Sequence, residues 1–397
     1  MSVWSDALRD WRIDRAGSEP AAASHSTETA AVRDATCWHR AAVYDDVRID
    51  LKLSDPPAPG ASVSILAAGD GETPASGYAL TVNKGAGTKP QAPCALVLSR
   101  KGQVIDESPL DWVSGLQDFS FVRAGAVVTG MVGGRAVMSW RDPEPLRGCR
   151  VGVSTVSHTV DLMAFNIFSR NVRSYTFQTA PTDWREAGGT WEVTNRWQCD
   201  PRWSFFSGRG HSNAVLWNKR PCTGDMTLEF FAATKMDRDR GSRYEYASDI
   251  NATICADGKD LTSGYSFVFG GHNNTSTRIY RGTTVLAENV GRLITPPPEL
   301  RSLHRYWFYI RITKHDKRLE LSIDGETVLS VEDPRPLPGG HLAIWTHDNG
   351  IMVGRVRVSA EEFGDREPPD VVVPAVCRSI YSPKPDAGKP APVAVAP

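Results

Sequence analysis

Ten residues in the last 150 positions of this chain have types and spacings that could do chemistry: Asp249, Asn251, His272, Asn273, Asn274, Arg278, Tyr280, Trp345, His347 and Asp348. Histidine, tyrosine and aspartate can pass protons at a reacting centre. Asparagine and arginine can bind hydroxyls or neutralise a carboxylate, and tryptophan can stack on a flat apolar face. A lone His, Asn or Trp is usually an ordinary surface or core residue. The reason to group these ten is that the chain provides its own control.

The sequence says nearly the same thing twice. Asp70-Gly71 and Ser76-Gly77-Tyr78 return 187 positions later as Asp257-Gly258 and Ser263-Gly264-Tyr265. Asp142-Pro143-Glu144-Pro145-Leu146 returns 191 positions later as Asp333-Pro334-Arg335-Pro336-Leu337. Asp10-Trp11-Arg12 matches Asp183-Trp184-Arg185, and Trp38-His39-Arg40 matches Trp217-Asn218-Lys219. A period this long indicates two copies of a domain rather than a solenoid. Matching positions then build the fold. At differing positions the second copy is richer in chemistry. Asp249 and Asn251 align with Ser62 and Ser64, and His272-Asn273-Asn274 with Gly85-Ala86-Gly87. Trp345, His347 and Asp348 align with Ser154, Val156 and Ser157.

The elements that must position these residues read as β-strands. Arg48 to Leu53, Tyr306 to Ile312, Arg318 to Ile323 and Val353 to Val358 alternate polar and apolar residues. That period of two marks strands with one buried face. Asp324-Gly325 suits a tight hairpin turn. No helix longer than a turn or two is expected. On strands, Asp249 with Asn251, Arg278 with Tyr280, and Trp345 with His347 each share a face. Three strands presenting such pairs would line a groove. The expected organisation is a first domain over 1–174, a second over 175–360 carrying the groove, and a Pro-rich tail over 361–397. Residues 365–380 are suited to packing back as a strap, and 383–390 to a disordered end.

The bulk properties exclude several classes. A net charge of −1 with 23% charged residues gives no electrostatic case for nucleic acid or an anionic membrane. No apolar run approaches the ~20 residues of a membrane helix. No leader is visible from Met1, which implies a cytoplasmic protein, or a periplasmic or secreted one whose leader is gone. Seven cysteines without a CxxC pair argue against a disulfide framework and a structural zinc, leaving a Cys199–Cys222 bridge open.

Ser248-Asp249-Ile250-Asn251, Gly264-Tyr265, Gly270-Gly271-His272-Asn273-Asn274-Thr275-Ser276-Thr277-Arg278, Tyr306-Trp307, Asp324-Gly325 and Asp333-Pro334 carry a resemblance. Over about residues 184–359 the chain resembles a bacterial concanavalin A-like family associated with polysaccharide degradation. The first copy looks like a diverged relative of the second. The resemblance implies an all-β protein of two tandem concanavalin A-like jelly-roll β-sandwich domains, with a poly- or oligosaccharide as partner. It does not fix the reaction.

Three mechanisms are open to these residues. A glycosidase needs two carboxyl groups; Glu245 and Asp249 are four apart, and Asp249 with Asp348 is the more conceivable pair. A lyase needs Asn or Arg for a uronate carboxylate and His or Tyr for the ring proton, which Asn251, Asn273, Arg278, His272, Tyr280 and His347 supply. A 3-keto-glycoside cleavage could use the same histidines, with His272, His347 and Asp249 holding a divalent metal, although their spacing fits no strict metal motif. A structural Ca²⁺ is compatible with any of these. The expected function is therefore cleavage of glycosidic bonds, with His272, Asp249, His347 and Tyr280 catalytic and Asn251, Asn273, Asn274, Arg278, Trp345 and Asp348 binding substrate. The alternatives are a non-catalytic lectin-like module using Trp345 as platform, and a docking protein.

Overall fold

The computed structural model describes residues 11–15, 31–84, 94–112, 115, 117–194, 204–237, 243–244, 247–295, 306–368, 371–372 and 377–382. Cys199, Glu245 and 383–390 lie outside the described residues. The protein is all-β. Its residues group into two compact units: Met1–Tyr175 with Gly224–Glu229 and Val356–Phe363, and Thr176–Thr223 with Phe230–Arg355 and Gly364–Pro397. The second unit thus holds the C-terminal segment, and pieces of two long strands belong to the first.

Among the described residues the first unit has two large antiparallel sheets and a two-stranded one that pairs Ala31–Arg33 with Thr159–Asp161. One has seven strands, in the order Trp11–Arg15, Ala35–His39, Arg150–Val156, Ser62–Gly69, Tyr78–Lys84, Cys94–Arg100 and Gln103–Leu110. The other has five, in the order Arg135–Arg141, Val127–Val132, Gln117–Ala124, Val47–Leu53 and Phe165–Phe168. Along Val47–Leu53 the buried residues are Val47, Ile49, Leu51 and Leu53. Their period of two sends one face into a core shared with Leu80, Leu96, Phe119 and Phe121.

In the second unit the strand order runs Thr284–Asn289, Ser276–Arg281, Tyr265–Gly270, Ile250–Ala256 and then the N-terminal part of Gly339–Phe363. Phe205–Asn218 pairs with that long strand and with Trp184–Ala187 and Thr190–Thr194. Cys222–Thr234, Phe308–His315, Arg318–Ile323 and Glu326–Glu332 complete the unit. The expected hairpin joins the last two strands, and Asp324 and Gly325 both have positive φ, 54° and 89°. A type I′ turn requires that combination.

The repeated residues make the same bonds in both units. Tyr78 donates its hydroxyl to Asp142 at 2.5 Å and accepts from the Leu146 N–H, while Arg100 bonds Asp142 at 2.7 Å. Tyr265 donates to Asp333 at 2.6 Å and accepts from the Leu337 N–H, while Arg281 bonds Asp333 at 2.6 Å. Gly77 and Gly264 occupy one structural position. A Cβ on either would stand 2.2 Å from the Ala67 carbonyl oxygen or 2.4 Å from that of Ile254, so no other residue fits. Registers agree too: Ser64 pairs Ser154 where Asn251 pairs Trp345.

Residues 364–367 and 377–382 pack back against the second unit. The Glu367 carboxylate sits between Arg185 and His341, and Glu367 N–H donates to the Lys219 carbonyl. Cys377 is buried among Trp217, Trp345, Val268 and Tyr280. The Asn213 amide donates to the Cys377 carbonyl at 2.8 Å, and the buried Ser379 hydroxyl donates to Asn213 Oδ1 at 3.2 Å.

Candidate functional site

The block Gly270–Asn274 is a left-handed turn. His272, Asn273 and Asn274 have φ of 53°, 60° and 59°, and the Thr275 N–H closes the turn on the Gly271 carbonyl. Left-handed backbone costs an ordinary L-residue about 1–2 kcal/mol, and asparagine tolerates it best. The turn is locked by Asn274, whose Oδ1 accepts from the Ile294 N–H at 2.8 Å while its Nδ2 donates to the Ile294 carbonyl at 2.9 Å. Asn274 is thus occupied as a brace, which corrects its expected role in substrate binding. His272 and Asn273 are left exposed at the apex.

From that apex the His272 ring reaches Tyr280, with Nε2 2.9 Å from its hydroxyl. Arg278 Nη1 donates to the same hydroxyl at 3.1 Å and is itself held by Glu288. Arg278 and Tyr280 therefore share a strand face, as expected from their spacing.

Asp249 precedes the Ile250–Ala256 strand with φ of 57°, so it is not itself in extended strand. It still meets Asn251, whose Nδ2 donates to Asp249 Oδ1 at 3.1 Å. Both are buried, and Asn251 Oδ1 has no bonding partner among the described residues. Burial is the largest influence on Asp249 and pushes its carboxyl up to about 6, against the pull of hydrogen bonds from Tyr381, Asn251 and Ser248.

Tyr381 joins the parts. Its hydroxyl donates a short hydrogen bond to Asp249 and accepts from the His272 N–H at 3.2 Å. Its ring stacks on His347 with centroids 4.2 Å apart and planes 15° apart, and stands edge-on to the His272 ring at 5.1 Å. His347 Nδ1 lies 2.8 Å from Asn213 Oδ1, which fixes the imidazole. Gly271 makes room for this approach, since a Cβ there would lie 2.8 Å from the Tyr381 hydroxyl. Partial burial, helped at His272 by the neighbouring Arg278 charge, lowers the pKa of both His272 and His347. Burial, and then the neighbouring Asp249, raise that of Tyr381.

Asp249, Asn251, His272, Arg278, Tyr280 and His347 thus gather in one place. Trp345 is fully buried, with Nε1 donating to Thr253 at 2.9 Å, so it is a core residue and not a stacking platform. The Asp348 side chain is 60% exposed and faces His211 at 3.7 Å, and its charge reaches both Asp249 and His347. Among the described residues no three His, Cys, Asp or Glu side chains are placed to hold a metal ion, so His272, His347 and Asp249 do not form the expected ligand set. Sequence reasoning missed Tyr381, Asn213 and Ser379. The one available signal was Cys377-Arg378-Ser379-Ile380-Tyr381, which carries the tail's one Ile and one Tyr amid a composition rich in Pro, Ala and Val.

No family model matches this chain, and no curated protein matches it in sequence. Among solved structures it is similar to a carbohydrate-binding module, CBM66, from Bacillus subtilis, at 15% identity and a TM-score of 0.32, over 45% of this chain and 96% of that one. A Bacillus subtilis protein of galectin-like fold gives 14% identity and a TM-score of 0.35, over 47% and 94% of the two chains. A putative glycosyl hydrolase from Parabacteroides distasonis gives 11% and 0.32, over 47% and 99%.

Proposed function

We propose that the second unit cleaves a carbohydrate by β-elimination, starting with removal of a ring proton next to a carbonyl group. Such a proton is carried by a uronate, next to its carboxylate, and by a 3-keto-glycoside, next to its ketone. The observation that carries the reading is the convergence of Asp249, Tyr381, His347 and His272, from four separate segments, through direct contacts. Titratable side chains that converge with perturbed pKa values at a partly exposed turn are candidates for proton transfer.

The arrangement favours elimination over two-carboxylate hydrolysis. A glycosidase places its second carboxyl about 5–9.5 Å from the first with both facing the substrate. Asp348, the expected partner of Asp249, is exposed beside His211, while Asp249 is buried and bonded to Tyr381 rather than open to a substrate. The sugar would lie against His272, Asn273 and Arg278, with the buried Tyr280 holding the His272 ring from behind. The guanidinium of Arg278 and the amide of Asn273 suit an oxygen next to the acidic carbon, where negative charge develops. A lectin-like reading is the weaker one, because Trp345, its platform, is in the core.

The test is incubation with uronate-containing polysaccharides and 3-keto-glycosides, following ultraviolet absorbance of unsaturated products alongside new reducing ends. Absorbance together with reducing ends is the expected result. Reducing ends alone would replace elimination by hydrolysis. Binding without either product would make the site a lectin site.

A further inference from the structure

Tyr381 comes from the C-terminal segment, beyond the part of the chain that resembles a carbohydrate-active family. We infer that Tyr381 is a catalytic residue of this site, taking the ring proton on its phenolic oxygen while passing its own proton to Asp249. The inference rests on the reading of the site given above. Three geometric facts carry it.

The tyrosine hydroxyl touches both the buried carboxylate and the exposed turn. It donates to Asp249 and accepts from the His272 N–H at 3.2 Å. Asp249 itself is 4% exposed, so a substrate can reach it only through a neighbour. Tyr381 is half-buried, which leaves part of it facing solvent. The ring is also held firmly. His347 stacks on it, and Asn213 anchors His347, Cys377 and Ser379 together. A side chain serving only as a hydrophobic plug would not place its hydroxyl on a buried carboxylate.

The step balances without a further reagent. The ring C–H bond breaks and its proton goes to the Tyr381 oxygen. The Tyr381 proton moves to Asp249 Oδ1. The electron pair of the C–H bond forms the new C=C bond, the C–O bond to the leaving group breaks, and the leaving oxygen takes a proton from water. Asp249 then returns its proton to water through Tyr381. Asp249 is in this scheme a positioning residue, acting through the tyrosine.

The experiment uses the full chain and the substrate found in the panel above. Tyr381→Phe keeps the ring, its stacking on His347 and the packing of the segment. It should leave glycan binding within about threefold and reduce kcat by 100-fold or more, the size expected for loss of one positioned proton-transfer group. Asp249→Asn should also reduce kcat, and adding it to Tyr381→Phe should cause little further loss, because the two act as a unit. A Tyr381→Phe enzyme with turnover within threefold of the parent overturns the inference and leaves the reading of the site intact. Absence of cleavage by the parent chain on every substrate overturns both. If Tyr381→Phe does not fold, a fluorotyrosine at 381 keeps the fold and acidifies the phenol. A displaced pH–rate profile then supports the role, and a superimposable one overturns it.

Discussion

At the scale of single residues, Asp249 is the group whose state the fold disturbs most usefully. Its carboxyl is raised by burial to about 6 from 3.8. A raised carboxyl binds a proton more tightly in the folded chain than in the unfolded one. Its charge therefore opposes folding above pH 6, and the penalty fades as pH falls toward 4. A displacement of that size corresponds to roughly 3 kcal/mol. Asp249→Asn should accordingly raise the thermal midpoint of the second unit at pH 8 and leave it nearly unchanged at pH 4, as calorimetry at the two pH values would detect. A lower midpoint at pH 8 would mean that the hydrogen bonds from Tyr381 and Asn251 outweigh the burial of the charge. His272→Ala makes a complementary case. The ring is exposed at the apex of a turn braced by Asn274, so the variant should fold normally and lose turnover. Asn274→Ala should do the opposite first, costing about 1–3 kcal/mol of stability by leaving the Ile294 backbone groups unpaired; urea titration distinguishes the two. Residue type alone could not separate His272 from Asn274, since both lie in one polar block. Only the backbone, left-handed at three successive positions, assigns one to the apex and the other to the brace.

At the scale of elements, the sheet frame was legible and the site half so. The repeated Asp-Gly, Ser-Gly-Tyr and Asp-Pro-x-Pro-Leu segments are the visible trace of a bond network that each unit needs. Asp142 and Asp333 are both buried, which works against their charge, yet hydrogen bonds from Tyr78 and Arg100, or from Tyr265 and Arg281, hold each carboxyl below its usual range. Such a lowered carboxylate stabilises the fold at neutral pH, and that contribution is lost as pH falls through its folded value. Asp142→Asn and Asp333→Asn should therefore each cost about 2–3 kcal/mol at pH 7, by loss of charged hydrogen bonds, and less in acid; chemical denaturation at pH 7 and pH 3 checks both size and sign. What the strand pattern could not reveal is the depth of a residue along its own strand. Trp345 and His347 do share a face as read, since both rings meet Tyr381, but Trp345 is fully buried while His347 is only partly so. Periodicity gives the face, not what lies over it.

At the scale of the whole molecule, residues 377–382 pack over buried residues of the second unit, and the question is whether they lift away. Their attachments argue for permanence. Glu367 is held between Arg185 and His341, Asn213 bonds the Cys377 carbonyl, and Ser379 is buried. Breaking them would expose Trp217, Trp345 and Val268 to water together with unpaired polar groups, a combination costing several kcal/mol. The tail's composition concealed this, because Pro, Val and Ala dominate it and the anchoring residues are single. Cys377 offers the measurement. Its side chain is fully buried and burial raises its pKa, so a thiol reagent can reach it only when the segment lifts away. Labelling of Cys377, followed by mass spectrometry of its peptide, should proceed at the rate of global unfolding and rise with urea along the same slope. Rapid labelling insensitive to urea would instead describe a lid that leaves and returns in the folded state, with Tyr381 reaching the site only while the lid is down.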